Sequence, residues 1–282
     1  VRTVLCDKDS SRGEIVRRTK RKVVSTSLIR ANIDKLNELP TSQNYELTFF
    51  KEHDLERLLD FLKGKNAVFG LHAPFIYRYT EIHPFPTSLN KVLREDTYQK
   101  NKACVLLGRD IGAEYIVIHF PNAKQSENWI KDKSILKDAI AHITEINQII
   151  PVRIENVYMN DYFHAPEDYI SIAKDTKTKL CIDIGHLLID SEIYSFNPIQ
   201  FIEKCKDFIA EFHIYYADLE IYSHCHHAPW GDSKRFHDLL GFIKDFECDF
   251  TIEASNDCKD GLDKLLNYVE EVVGHGDGNL RI

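Results

Sequence analysis

Short apolar runs rich in β-branched and aromatic residues recur along the chain. Each is followed by a longer stretch in which apolar positions return every three or four residues. The runs at 23–27, 45–50, 67–72, 115–119, 152–155, 180–183, 210–213 and 250–253 read as strands. Helical periodicity fills 54–63, 96–111, 133–149, 166–174, 198–208, 234–245 and 261–273, with a weaker pattern between 28 and 39. Pro166 and Pro198 stand near first helical positions, and Asn197 is a natural N-cap for the helix that follows it. Strict alternation of strand and helix implies parallel strands covered by helices. Eight such units in about 250 residues is the usual size of a closed (β/α)8 TIM barrel. A doubly wound open sheet advertises a Gly-rich turn after its first strand, and this chain has none. The predicted fold class is therefore α/β: a parallel eight-stranded TIM barrel with outer helices, one domain over 23–282 preceded by a basic extension over 1–22.

Composition narrows the function. The 282 residues carry a net charge of −8, which argues against a wide basic face that tracks a polyanion but leaves room for a small basic groove. Residues 1–22 hold eight basic and three acidic residues, a local net of +5 that leaves −13 for the rest. A charged terminus of this kind reads as a solvated extension, or alternatively as an arm for nucleic acid or membrane. No apolar run is long enough to cross a bilayer and the first residues are charged where a secretory signal would be apolar, so the expected location is cytoplasmic. The seven cysteines are scattered without a C-x-x-C pair, so neither a disulfide framework nor a zinc ribbon is expected.

The chemistry lies at the ends of the strands. In a parallel barrel the carboxyl ends of the strands share one face, where active sites are built. Six consecutive predicted strands, the third to the eighth, end on a metal-ligand residue type: His72, His119, Glu155, Asp183 with His186, His213 and Glu253. A single polar residue after a strand is usually a cap, but independent rim residues would vary among Ser, Thr, Asn, Lys and Gly. His, Asp and Glu suit a borderline or hard divalent cation, Zn, Mn, Co or Mg. A cation would also relieve the repulsion among carboxylates brought to one rim. Alternation puts Arg153 on the same face as Glu155, one layer deeper, as internal charge balance. After the seventh strand comes His224-Cys225-His226-His227-Ala228-Pro229-Trp230-Gly231-Asp232, whose imidazoles could bind metal, phosphate or hydroxyl.

These residues, from Ala67 to Ser255, resemble the xylose isomerase-like TIM-barrel superfamily, which includes sugar-phosphate isomerases and epimerases and the endonuclease IV class of abasic-site nucleases. In the isomerase branch the resemblance implies one divalent metal held by Glu155, Asp183, His213 and Glu253. His186 and the loop His227, in its H-x-P-x-G setting, would contact substrate oxygens. In the endonuclease branch it implies up to three zinc ions. His72, His119 and Glu155 would hold one, Glu155, Asp183, His213 and Glu253 another, and His186 with an Asp-x-His pair the third. Cys225 stands where that Asp is expected and is a substitute ligand at most. His119-Phe120-Pro121 and Ile154-Glu155-Asn156-Val157 also depart from the nuclease pattern, whereas Tyr45-Glu46-Leu47 is similar to the second strand of isomerase-type members.

The resulting expectation is a metal-dependent isomerase or epimerase acting on a sugar or sugar phosphate. Glu155 and Glu253 serve as base and acid around an enediolate that the cation stabilises, with His186 steadying the oxygen whose charge changes. His72, His119 and His227 are further ligands or substrate contacts. Phe75, Tyr77, Tyr79 and Phe85, and Tyr158, Tyr162 and Phe163, are candidates to stack on a sugar and exclude water. The alternative is a zinc-dependent abasic-site endonuclease acting on DNA, with Arg78, Lys91, Arg94 and the basic arm on the backbone. A non-catalytic sugar- or metal-binding barrel predicts a broken ligand set, yet the four central candidates are intact.

Overall fold

Strand alternation sorts each run into a face toward the helices and a face toward the barrel axis. In the computed structural model, which describes residues 20–255, 258 and 260–274, eight strands close into an all-parallel barrel in chain order. They are β1 (Arg21–Ser25), β2 (Asn44–Leu47), β3 (Val68–His72), β4 (Ile116–His119), β5 (Val152–Glu155), β6 (Lys179–Asp183), β7 (Ile209–Ile214) and β8 (Asp249–Ile252). Closure runs from β1 to β8, with Arg21 opposite Asp249 and Val23 opposite Thr251. The helices are α1 (Leu55–Gly64), α2 (Lys91–Ile111), α3 (Lys133–Asn147), α4 (Pro166–Thr176), α5 (Ile184–Ile193), α6 (Pro198–Cys205), α7 (Lys234–Ile243) and α8 (Leu262–Gly274). Outward-facing Leu71, Ile116, Ile118, Ile154, Ile182, Phe212 and Ile252 join helix residues such as Val105, Ile143, Ile172 and Leu239 in one buried apolar layer.

The predicted TIM barrel is present, with local differences; one is that β2 ends at Leu47 and not at 50. The weak helical pattern at 28–39 forms two 3-10 turns, Thr26–Ile29 and Ile33–Glu38, separated by Arg30 and Ala31 with φ of 50° and 47°. Two consecutive left-handed residues cannot continue a right-handed helix. Helix α5 was not expected, because Ile184-Gly185-His186-Leu187-Leu188-Ile189 is buried on every side and offers no polar face to give it a period. Arg21 and Lys22, placed by the charge pattern in the extension, belong to β1, Lys20 before them donates to the Lys244 carbonyl at 2.6 Å, and residues 1–19 of that basic arm lie outside the described residues. No described helix is long and apolar enough to cross a membrane.

The barrel axis is unusually polar for a packed interior. Arg153 is buried and donates to Glu211 at 2.6 Å, reaches Asp249 at 2.8 Å, and lies 3.4 Å over the Tyr115 ring. Arg21 forks onto the same Asp249 through Nε and Nη2 at 2.7 and 2.8 Å. The Tyr115 hydroxyl donates to Glu46 and Glu211, each at 3.2 Å, and Thr251 donates to Glu211. Gly70 makes room for that ring, since a Cβ there would lie 2.2 Å from Tyr115 Cζ. Arg153 thus supplies the charge balance expected of it, and the layer forms the floor beneath the strand ends.

Candidate active site

Each polar residue at the rim stands two positions beyond a residue of that floor: Glu155 beyond Arg153, His213 beyond Glu211, Glu253 beyond Thr251 and His72 beyond Gly70. The period of two therefore turns all of them inward. Asp183 ends β6 and caps α5: its Oδ1 accepts from the His186 N–H at 2.7 Å, which leaves Oδ2 buried without a hydrogen bond. Asn156 locks β5 to β6, accepting from the Asp183 N–H at 2.8 Å and donating to the Asp183 carbonyl at 3.1 Å. At Gly185 a Cβ would sit 2.0 Å from Tyr215, so the turn into α5 requires glycine.

The side chains converge in overlapping groups whose ligand atoms lie within 4.8 Å of one another; besides Glu46-His72-His213-Glu253 and Cys181-Glu211-His213 deeper in the barrel, three adjoin at the strand ends. They are Glu155, Asp183, His213 and Glu253; His72, His119 and Glu155; and His186, His226 and His227. The first group is buried throughout, and Asp183 Oδ2, His213 Nδ1 and Glu253 Oε2 make no hydrogen bond there. His213 Nδ1 and Glu253 Oε2 lie 2.8 Å apart without the directionality of a hydrogen bond. Buried polar atoms left without hydrogen-bond partners are rare and need a reason. The chemistry of this donor set, two glutamates, one aspartate and one imidazole nitrogen, fits a divalent cation.

The electrostatics lead to the same conclusion. Burial pushes Glu155 up, but the imidazoles of His119, His72 and His213 outweigh it and hold the carboxyl well below its ordinary value. Glu253 likewise resists burial through His213, His72 and His227 and is held at about 2. Burial pushes Asp183 well above the carboxylate range, with the charges of Glu155 and Glu253 adding to it. Burial opposes protonation of His72, yet Glu155 chiefly raises it to about 10; His213 is raised well above its usual value against the same burial. The surrounding carboxylates thus bias the His72 and His213 imidazoles toward their protonated forms. A dication held by Glu155, Asp183, His213 and Glu253 would require His213 to be deprotonated, so that binding releases a proton. Burial lowers His186 and His226 to about 3, keeping them neutral.

The ring orientations are set by main-chain carbonyls. His72 Nδ1 bonds the Ala73 carbonyl at 2.9 Å and turns Nε2 to Glu155 at 2.8 Å. His186 Nδ1 bonds the Asn156 carbonyl at 2.9 Å and His227 Nδ1 the Glu253 carbonyl at 2.8 Å, which frees Nε2 of each ring. His227 stacks on Tyr215, with ring centroids 3.9 Å apart. Above them opens a cavity of about 240 Å³ lined in part by His72, His119, Glu155, Tyr158, His186, His227 and Glu253.

Most of the rim residues expected from the sequence are therefore brought together, and several others are not. Cys225 forms a disulfide with Cys258, their Cα atoms 6.1 Å apart, so it has no thiolate to offer a metal. The same bridge corrects the expectation of a chain without disulfides. Phe75 is fully buried in the helix-facing core and Tyr77 packs against that core, so neither lines the cavity. Tyr79 donates to Asn101, and Phe163 packs against Phe120 and Tyr169. Arg94, a candidate for a DNA backbone, is buried and donates to the Ser88 carbonyl at 2.6 Å.

His226, one of the loop imidazoles expected to bind, lines the cavity, whereas sequence reasoning missed Phe49, Ile82 and His83 in its wall and Glu46 behind it. Glu46 is wholly buried with Oε1 3.2 Å from His213 Nε2. Its signal was present: Glu46 pairs in register with Ser25 on β1 and Gly70 on β3. The predicted second strand ran on to 50, which hid Glu46 in mid-strand.

No protein-family profile matches the sequence, and no curated protein does. Solved structures match in fold. A D-tagatose 3-epimerase-like protein aligns with TM-score 0.65 at 20% identity, over 90% of this chain and 98% of the other. An L-ribulose 3-epimerase aligns with TM-score 0.67 at 13% identity, over 92% and 94%. The D-allulose 3-epimerase of Methylomonas sp., in complex with D-allulose, aligns with TM-score 0.62 at 12% identity, over 92% and 95%. At such identities the likeness establishes the shared fold, which agrees with the resemblance to xylose isomerase-like barrels.

Proposed function

We propose that this chain is a divalent-metal-dependent isomerase or epimerase of a sugar or sugar phosphate. The observation that carries the reading is the buried quartet of Glu155, Asp183, His213 and Glu253, with three ligand atoms left without hydrogen bonds. The company of sugar epimerases among fold neighbours supports it. When bound by that quartet, a divalent cation would supply Lewis-acid polarisation of a carbonyl and its neighbouring hydroxyl.

The protein's own groups do the rest. Glu155 arrives from β5 and Glu253 from the end of β8, so the two carboxylates approach a substrate from well-separated strands. One removes the proton from the carbon next to the carbonyl; the C–H pair becomes the new C=C bond and the carbonyl pair moves onto oxygen, giving the enediolate. For epimerisation the other carboxylate takes a proton from solvent and delivers it to the opposite face of that carbon; for isomerisation the first carboxylate gives the proton it removed to the former carbonyl carbon, while the neighbouring hydroxyl proton moves to the other oxygen. His186 Nε2, left unprotonated because Nδ1–H donates to the Asn156 carbonyl, accepts a hydrogen bond from a substrate hydroxyl and so orients it. Tyr158, its ring 4.6 Å from that of His186, closes one wall and limits water.

The test is exchange of solvent deuterium into a panel of keto sugars and their phosphates with metal-loaded protein. Exchange is expected for at least one, and Glu155→Gln should abolish it; no exchange across the panel, or full activity in the variant, overturns the reading. The two further groups, His72-His119-Glu155 and His186-His226-His227, give a second reading specific support, that of a nuclease with several zinc ions. Cleavage of an abasic duplex, abolished by Glu253→Gln, would establish it in place of the first.

A further inference from the structure

The cavity has two unlike parts. Its buried lining holds Glu155, Glu253, His72 and His186 together with the apolar Pro74, Pro84, Val157 and Tyr158, whereas its exposed lining is Phe49, Ile82, His83 and His226. Ile82 is 85% exposed and Phe49 41%, and both border the same opening. Phe49 is also held in the left-handed region with φ of 63°, a conformation that bulky side chains rarely adopt and that persists where surroundings enforce it. Those surroundings are visible: its N–H donates to the Pro74 carbonyl at 3.2 Å, and the Arg78 guanidinium lies 5.3 Å over its ring. The chain thus spends backbone strain to hold an aromatic ring at the mouth. Among the described residues no lysine or arginine lines the cavity. Lys124, next to the lining residue Ala123, lies 5.6 and 5.0 Å over the rings of Tyr158 and Tyr222. A phosphate monoester needs cationic or main-chain donors; the exposed lining offers the two imidazoles of His83 and His226 but no fixed cation, and the Phe49 and Ile82 side chains would strip its water without replacing it.

We propose that the substrate is uncharged and apolar at the end remote from its reacting hydroxyl and carbonyl, with that end packed between Phe49 and Ile82. This rests on the proposed proton-transfer function and selects, within it, against phosphorylated sugars. The polar end descends to the carboxylates, and a cavity of about 240 Å³ holds a monosaccharide-sized body while the substituent fills the mouth.

The experiment compares three probes on the full chain loaded with Mn²⁺: D-fructose, D-fructose 6-phosphate and 6-O-benzyl-D-fructose. Binding is read by calorimetry and solvent-deuterium exchange by NMR. The benzyl ether is expected to bind at least about tenfold more tightly than D-fructose, and the phosphate no more tightly than D-fructose. Ile82→Ala should cut the benzyl advantage to within about threefold, and chelator-stripped Ile82→Ala with an unchanged melting temperature shows that the variant folds. Tighter binding of the phosphate, or no gain from the benzyl group, overturns this inference whether or not deuterium exchanges. A benzyl gain without exchange into any probe supports the apolar mouth and overturns the proposed reaction. Failure of all three to bind overturns both.

Discussion

Replacing Glu46 by Gln separates the two roles that a buried carboxylate can have. Glu46 is wholly buried, with Oε1 3.2 Å from His213 Nε2 and Oε2 accepting from the Tyr115 hydroxyl at 3.2 Å. Burial, with the charge of Glu211 added, pushes Glu46 up to about 7, against the pull of His213. An acid raised in the folded state contributes stability that is complete below its ordinary value of 4.5 and is lost as pH rises through about 7. Above that pH its ionised form costs the metal-free fold on the order of 3 kcal/mol. Gln keeps the shape and an acceptor oxygen but removes the charge, and His213 retains Glu253 at 2.8 Å as a partner. Chelator-stripped Glu46→Gln should therefore be at least as stable as the parent at pH 8. Metal affinity should move the other way. A carboxylate behind a ligating imidazole orients it and raises its basicity, and its loss costs about 10–100-fold in affinity. Competition with a chromophoric chelator measures the affinity, and thermal melts of stripped protein measure the stability. Unchanged metal affinity together with a lower melting temperature would refute the argument and make Glu46 a packing residue only.

Arg153→Met leaves Glu211 and Asp249 without their shared partner and should cost about 3–5 kcal/mol in urea unfolding; adding Glu211→Gln should recover part of that loss. Burial lowers His142, whose ring stacks on Tyr98, to about 4. The stability it contributes is present above its ordinary 6.5 and is lost as pH falls toward about 4. The chain should lose about 2 kcal/mol from this residue between pH 7 and 5, and His142→Phe should flatten that part of the slope; an unchanged slope contradicts it. The Cys225–Cys258 bridge spans 33 residues and joins the loops that carry His226 and follow Glu253. Cys225→Ser should lower stability by about 3.5 kcal/mol, dithiothreitol should do the same to the parent, and the variant should not respond to the reductant.

The barrel was legible because its signals are periodic: apolar runs at strand spacing and amphipathic helices between them. The quartet was legible because a strand end plus a period of two fixes both where a side chain sits and which way it points, as with Arg153 and Glu155. What escaped lacked one of these signals. Helix α5 has no polar face to betray a period. Pairing Cys225 with Cys258 depends on the approach of two loops, which spacing along the chain does not encode. Phe75 and Tyr77 lie in the same loop as Ile82, and only the packing of that loop decides that the first faces the core, the second packs on it and Ile82 faces the cavity. Glu46 needed a strand end accurate to a few residues, which composition alone does not supply.

The central claim is that Glu155, Asp183, His213 and Glu253 form one divalent-cation site. Metal analysis of protein purified and dialysed without added chelator measures it directly, comparing the parent with Asp183→Asn/His213→Gln. The account predicts at least about one Mn, Zn, Co or Mg per chain in the parent and a loss of about one equivalent in the double variant, with the fold retained by circular dichroism. A parent that binds no divalent metal, or a folded double variant that binds as much as the parent, would contradict it.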